Sequence, residues 1–364
     1  MNKINIYGAG VSGMTAAIYL KKRNPKLDIT LYEADTRVGQ KILKTGNGKC
    51  NISNVYLDDS SNYNNSLFIE EVLKETNSQD LKEFVLEDLG LVLREDDSGR
   101  LYPYSEKATS VLTAYVNKLK ELDIKVVTSL RDTLDLTGIT IIATGSYAQS
   151  KYDGYDYLTS LGHKITPLIP ALTTLKVKED LRPLKGIRFK VKAKILKGNK
   201  VLAVDEGEVQ FRSDAISGIV VLDLSRYYEA GCEVSFDLTP EYSLADLKEL
   251  KAKFKDEDEF LCSLLPKMLA IEVKKRKDIL HQLKDFRFTV SGLNSYGEAQ
   301  ITKGGLDLKE INYDFSSKLK PNLYIVGEIL DIDARCGGFN FGFAIISGLT
   351  AAKSILRKLK FFIN

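Results

Sequence analysis

Three glycines near the amino end, in the run Gly8-Ala9-Gly10-Val11-Ser12-Gly13, have the spacing at which a backbone can hold a diphosphate. Gly8 permits a tight turn, Gly10 removes the side chain that would keep a phosphate away, and Gly13 lets a helix pack closely on the preceding strand. The free amides of that helix, those of Val11 and Ser12 included, add roughly half a positive charge. Glu33 lies 20 residues past Gly13, with Ala34 beside it, where a carboxylate accepts from both hydroxyls of a ribose and disfavours a 2′-phosphate. The unit reads as dinucleotide-binding and serves NAD and FAD alike. A second constellation separates the two. Gly327-Glu328 ends an apolar run, and the loop from Asp331 to Asn340 (DIDARCGGFN) leads into a helix. Glu328 suits ribityl hydroxyls, and a helix start over Gly338, Phe339, Asn340 and Phe341 suits the pyrimidine edge of a flavin, where reduction builds negative charge. A cofactor held at residues 8–13 and again at 327–341 is extended, which favours FAD.

Positioning those residues requires an alternating α/β arrangement. Lys3 to Tyr7 (KINIY) is a short apolar run bounded by glycine, the pattern of a buried parallel strand. Met14, Ala17, Ile18 and Leu20 recur at helical spacing between Ser12 and Arg23, and Asp28 to Glu33 (DITLYE) completes a βαβ unit. The loop from Gly39 to Asn54 (GQKILKTGNGKCNISN) is too rich in turn formers for the sheet and is a candidate ligand loop. Helical patterns cover Leu67 to Leu93 and Ala108 to Leu122, and strands are expected at Ile124 to Thr128 and Ile139 to Gly145. Thr166 to Leu238 changes character, with segments such as Phe189 to Ile195, Lys200 to Val204 and Gly218 to Leu224 reading as strands of a separate β domain. Charge-rich helices follow from Ser243 to about Lys284, then a buried strand at Asn322 to Val326 and a closing helix at Phe343 to Leu359. The partition is residues 1–160 for the first part of an FAD-binding domain, 161–240 for a β-rich substrate domain, 241–288 for a helical domain, and 289–364 for the β-domain edge and the return to the FAD domain.

Composition narrows the classes. The 364 residues suffice for two or three domains, and 52 basic against 49 acidic residues leave a net charge of +3, which argues against nucleic acid as a partner. Four cysteines, at 50, 232, 262 and 336, form no CxxC pair and point to a reducing cytoplasm without a zinc site. No apolar run is expected to reach the roughly 18–20 residues of a membrane span, and the chain enters a strand pattern at once, so a cytoplasmic protein without membrane contact is expected. Cys50 and Cys336 stand in the proposed cofactor loops, where either a redox thiol or merely a small residue fits. His163 and His281 are too few for a metal cluster and read as packing or surface residues. The runs Asp256 to Glu259 and Lys274 to Lys277 read as solvated faces. Tyr147, Tyr152, Tyr155 and Tyr157 crowd the proposed cleft as candidate substrate-lining aromatics.

Beyond these physical readings, the chain resembles three-domain bacterial flavoproteins of the aminoacetone oxidase type, often labelled NAD(P)/FAD-dependent oxidoreductases. The resemblance covers nearly the whole length. It is carried by GAGVSGMTAA at 8–17, GQKILKTGNGKCNISN at 39–54, GRLYPYSEKATSVL at 99–112, the stretch from Ala143 to Leu175, SGIVVLDLS at 217–225 and GEILDIDARCGGFNFGFAIISG at 327–348. It implies a discontinuous Rossmann-like FAD domain, an inserted β-barrel domain over the flavin and a small helical domain. By similarity Gly46, Asn47, Cys50 and Asn51 lie along the flavin or diphosphate, and Ala143, Thr144 and Gly145 lie close to the cofactor. Two departures stand out. Ser146-Tyr147 and a shortened Lys151 to Gly154 stretch replace a longer Gly/Ser/Thr loop, and Phe341-Gly342-Phe343 suggests an apolar wall where polar residues are frequent.

Two chemistries follow. The favoured one is an oxidase that takes hydride from a small amine, aminoacetone or an L-amino acid, and passes electrons to dioxygen, releasing hydrogen peroxide and ammonia. It needs no acid–base dyad if the amine arrives neutral, and no catalytic residue is assigned. The alternative is an NAD(P)H-dependent reductase of an unsaturated or quinone-like substrate, against which stands the lack of a second GxGxxG. A flavin-bearing RNA-modification accessory would need a basic face that +3 does not supply. The helical insertion suits either a homodimer surface or a lid.

Overall fold

The computed structural model describes residues 3–130, 134–150 and 154–361, which fall into two compact units, Met1–Ile169 with Ile301–Asn364, and Pro170–Gln300. In the first, β1 (Lys3–Tyr7), α1 (Val11–Arg23) and β2 (Asp28–Tyr32) form the expected βαβ unit. The sheet runs from edge to edge as Leu323–Ile325, Ile139–Ile142, β1, β2 and Lys125–Val127, every pairing parallel. Strands such as Ile139–Ile142, buried on both faces, have the continuous apolar composition that parallel sheets require. The chain leaves β1 toward β2 on one side, while Ile139–Ile142 continues to Leu323–Ile325 on the other. The crevice at the carboxyl ends of β1 and Ile139–Ile142 is therefore the topological switch point, where open α/β sheets bind ligands.

The closing helix, Phe339–Phe361, starts earlier than its apolar periodicity suggested and packs on α1. Gly348 allows the contact: a Cβ there would stand 2.5 Å from the Ser12 carbonyl oxygen and 3.2 Å from Thr15 Cβ. Contrary to the expectation that no run reaches membrane-spanning length, Phe339–Lys360 is long and apolar enough, but its apolar window is 72% buried inside the protein. Its composition is that of a core helix. The segment expected as one helical pattern from Leu67 to Leu93 divides into Ser66–Glu75, Ser78–Glu83 and a π turn Phe84–Asp88, because Asn77 caps a new helix with its side chain. His163 is buried among polar groups, with Nδ1 3.0 Å from Glu310 Oε2 and Nε2 3.1 Å from Ser317 Oγ, whereas His281 is exposed.

In the second unit six strands close a barrel in the order Arg188–Lys197, Lys200–Phe211, Ile216–Ser217, Leu175–Val177, Phe286–Leu293 and Glu233–Asp237. Phe211, Phe236, Phe286 and Phe288 fill its core with tilted and edge-on ring contacts. One expectation is corrected here. Gly218 to Leu224 is not a strand but the approach and body of a helix, Ile219–Ser225. Gly218 has φ +100, and a Cβ on it would stand 2.2 Å from the Glu208 carbonyl oxygen, so the chain turns sharply against its neighbour strand. Val220, Val221 and Leu224 then share one buried helical face, and burial overrides the β preference of a valine-rich run. The helices Leu244–Lys251, Glu257–Leu264, Lys267–Lys274 and Ile279–Lys284 share the barrel's hydrophobic core.

Replacing Gly348 by Ala should lower stability by about 1–3 kcal/mol, the usual cost of forcing a methyl into a close helix contact. Thermal unfolding followed by circular dichroism checks this, with a fall of several degrees expected.

Candidate functional site

The site grows from the turn after β1. Gly8 has φ +103 and donates its amide to the Tyr32 carbonyl at 2.8 Å. A Cβ on Gly8 would lie 2.2 Å from the Ala143 carbonyl oxygen, and one on Gly13 would lie 2.0 Å from the Gly8 carbonyl oxygen. Both positions therefore require glycine, and the turn is pressed onto the end of Ile139–Ile142. Gly10 differs, because nothing lies within 4 Å of its missing Cβ. It caps α1 without a side-chain hydrogen bond, and the first turn carries no acid. The amides of Val11, Ser12 and Gly13 have no acceptor within the helix. An anion on the open side of Gly10 would satisfy them.

Glu33 has partners already: Oε2 accepts the Ala9 amide at 2.9 Å and Oε1 accepts the Asp35 amide at 2.9 Å. The carboxylate thus holds the glycine turn, and each oxygen keeps a second lone pair for a ribose hydroxyl. Ala34, next to it, is half-buried. The loop from Gly39 docks on the same turn, its first amide donating to the Ala9 carbonyl at 2.9 Å. Gly46, Asn47 and Cys50 have left-handed backbone, with φ of 53, 52 and 60. Ser53–Asn54 joins Arg100–Pro103 in a separate three-stranded sheet. Cys50 is buried, and desolvation pushes its thiol up to about 11, so it is a small packed residue and no thiolate at neutral pH. Cys336 is half-buried.

Across the crevice, the Ala143 amide donates to the Tyr7 carbonyl at 2.7 Å, and Gly145 turns with φ +74. Gly337 and Gly338, both at positive φ, open the closing helix. A Cβ on Gly338 would lie 2.4 Å from the Ser53 carbonyl oxygen and 2.6 Å from Asn51 Oδ1. Asn54, which the sequence reading did not single out, donates from Nδ2 to the Gly337 carbonyl at 3.0 Å. Asn340 clamps the loop before it, with Oδ1 accepting the Ala334 amide at 2.9 Å and Nδ2 donating to the Ala334 carbonyl at 2.8 Å. Its side chain is therefore engaged in the loop, and the helix start presents backbone amides. Phe339 and Phe343 are buried against Tyr63, at 6.2 and 6.3 Å between ring centroids, so the expected apolar wall reduces to half-buried Phe341. Residues two apart on a helix point in different directions.

Gly327 lies against α1, where a Cβ would meet Ser12 Oγ at 2.4 Å. Glu328, next in the chain, accepts from Ser146 Oγ at 2.6 Å and from the Thr302 amide at 3.3 Å, and pairs with Lys41 Nζ at 3.2 Å. The sequence reading placed Glu328 but missed Lys41, which lay unremarked in the candidate ligand loop, and read Ser146 only as a departure from the family. Tyr147 and Tyr155 lie 5.3 Å apart, Tyr155 buried and Tyr157 half-buried, while Tyr152 and the rest of 151–153 lie outside the described residues.

Among the buried oxygens of this unit that have no hydrogen-bond partner in the protein are Asn51 Oδ1, Ser53 Oγ and Thr144 Oγ1, in the loops around the crevice. With the uncapped α1 amides and the open face of Gly10, they are groups that a large polar ligand would satisfy, and the residues present fit FAD. Sheet, glycine turn and second glycine-led helix define a Rossmann-like FAD domain, and, with the family and relatives that follow, the chain is an FAD-dependent oxidoreductase. The chain belongs to the HI0933-like protein Rossmann domain family, which matches residues 2–354. It is 30% identical to a 3-dehydro-bile acid delta(4,6)-reductase of Clostridium scindens, covering 97% of this chain and 99% of that protein. It is 25% identical to the ribosomal RNA dihydrouridine synthase of Escherichia coli, covering 96% and 97%. The crystal structure of 3-ketosteroid delta1-dehydrogenase from Sterolibacterium denitrificans shares the fold, with a TM-score of 0.51, 9% identity and coverage of 98% and 100%.

Replacing Glu33 by Ala removes an acceptor for both the Ala9 amide and the ribose. FAD affinity, read by flavin fluorescence, should fall about 10-fold or more, as expected for losing charge-assisted hydrogen bonds. Alkylation of the native protein at pH 8, mapped by mass spectrometry, should label exposed Cys262 and leave Cys50 untouched until denaturant is added.

Proposed function

We propose that this chain is an FAD-dependent reductase that saturates a carbon–carbon double bond activated by a conjugated carbonyl. The observation that carries the reading is full-length relatedness to a delta(4,6)-reductase, joined by a dihydrouridine synthase. The first name denotes reduction of a 3-oxo steroid diene. The second names a product that differs from uridine by two hydrogens across a double bond conjugated to a ring carbonyl. Bound FAD supplies a carrier that accepts a hydride from one partner and gives it to another.

The chain's own groups bind and orient. The uncapped amides of α1 and the Glu33 carboxylate hold the nucleotide half, and Asn51, Ser53 and Thr144 offer side-chain oxygens to the remainder. The positive end of the closing helix favours the negative charge that reduction builds. Tyr147, with Tyr155 behind it, supports an apolar, planar substrate.

Amine oxidation with dioxygen is the second reading. The described residues contain one strand–glycine–helix nucleotide unit, which leaves a nicotinamide donor no domain of its own. In either reading the substrate is a small molecule and the enzyme cytoplasmic, on cysteine usage and net charge. Nucleic acid is disfavoured as a partner because acids oppose the lysine-rich strand Arg188–Lys197: Lys190 faces Glu208, Lys192 faces Asp237, and Lys194 pairs with Asp285 at 3.2 Å.

Anaerobic stopped-flow decides between the chemistries. NADH or NADPH should bleach the flavin faster than aminoacetone or L-amino acids, and a steroid 4-en-3-one or 4,6-dien-3-one should restore its colour under argon. Bleaching by an amine alone, with hydrogen peroxide released on admitting air, overturns the reductase reading in favour of the oxidase.

A further inference from the structure

The Lys41–Glu328 pair has a place in the fold that neither residue's neighbours explain as mere packing. Lys41 comes from the loop that starts at Gly39, whose amide bonds the Ala9 carbonyl inside the glycine turn. Glu328 follows Gly327, whose missing Cβ points at Ser12 in the first turn of α1. Lys41 thus lies two residues from a backbone bond to the glycine turn, and Glu328 one residue from a close contact with the Ser12 side chain. The ammonium also lies 3.4 Å from the Ser146 carbonyl and 3.6 Å from the missing Cβ of Gly145, beyond the end of Ile139–Ile142. Its 37% exposed side chain and long contacts leave donor capacity unused. The first turn of α1 offers only half a unit of positive charge, whereas an FAD diphosphate brings about two negative charges.

We propose that Lys41 is the counter-ion of the cofactor diphosphate and that Glu328 is its positioning residue. Glu328 is itself fixed by the Ser146 hydroxyl and the Thr302 amide. It holds the ammonium in a defined place beyond the end of Ile139–Ile142, one residue along the chain from Gly327 at Ser12, at an ionic contact that a phosphate oxygen can share. The same geometry predicts what the pair recognises: the phosphates, independently of the isoalloxazine ring. ADP should therefore compete for the site through the same lysine.

The test uses the full chain, with FAD and ADP as probes. Lys41→Met should weaken FAD binding, and displacement by ADP, each by about 10-fold or more at low salt, the size of a lost charge-assisted contact. The difference from the parent protein should shrink as ionic strength rises. Lys41→Arg should bind both within a few-fold of the parent, and Glu328→Gln should fall between. Circular dichroism of each variant separates these effects from misfolding, and Lys41→Arg keeps the test alive should Lys41→Met not fold. The flavin midpoint potential should be unchanged in Lys41→Met. Unchanged ADP affinity together with a lowered potential and weaker sulfite addition overturns the proposal, because it puts the charge at the ring; unchanged affinity for both ligands overturns it outright.

Discussion

The structure depends on one close approach: backbone against backbone at the carboxyl ends of β1 and Ile139–Ile142. With Gly8 and Gly13 both lacking side chains, the glycine turn sits directly on the Ala143 carbonyl. That contact sets where α1 begins, and so where its uncapped amides point. The same economy of side chains recurs on the other side of α1. Gly327 lies against Ser12 Oγ and Gly348 against the Ser12 carbonyl, so the last strand and the closing helix reach the first turn of α1 through glycines. Side chains at any of these positions would move the carboxyl ends apart and open the crevice they form.

Two carboxylates then do double duty at opposite ends of that crevice. Glu33 ties the turn to the segment after β2 through the Ala9 and Asp35 amides. Glu328 ties the segment after the last sheet strand to Ser146, Thr302 and Lys41. In both cases the acid that sequence reasoning assigns to sugar hydroxyls also pins the backbone around it. Neither acid is a free arm awaiting a ligand, and the cofactor meets groups held in place beforehand. Preorganisation of this kind keeps the cost of ordering the site out of the binding step.

The fold was legible wherever local pattern and tertiary burial agree. β1, α1 and β2 emerge within a residue of their expected bounds because an apolar run, a glycine turn and a helical period all say the same thing there. The valine-rich segment after Gly218 shows the opposite case. Its residues favour a strand, and only the positive φ of Gly218 and the filled barrel make it a helix. The site was legible in its glycines and acids, whose spacing carries the chemistry. Lys41, Asn54 and Ser146 were not, since each acts on a residue far away in sequence. Glu328 is 287 residues from Lys41, and no periodicity connects them.

Ser146 links the segment after Ile139–Ile142 to the second carboxylate. The residue after Gly145 is a fully buried serine whose hydroxyl bonds Glu328 at 2.6 Å. That bond anchors the start of the segment carrying Tyr147 and Tyr155, so the loop has a fixed root. Ala148 is drawn into the same network, its amide 3.2 Å from Thr302 Oγ1. The chain's relatives carry names as different as a bile acid reductase and a ribosomal RNA dihydrouridine synthase, and the backbone contacts that build the glycine crevice here, at Gly8, Gly13, Gly327 and Gly348, are made without the segment carrying Tyr147 and Tyr155.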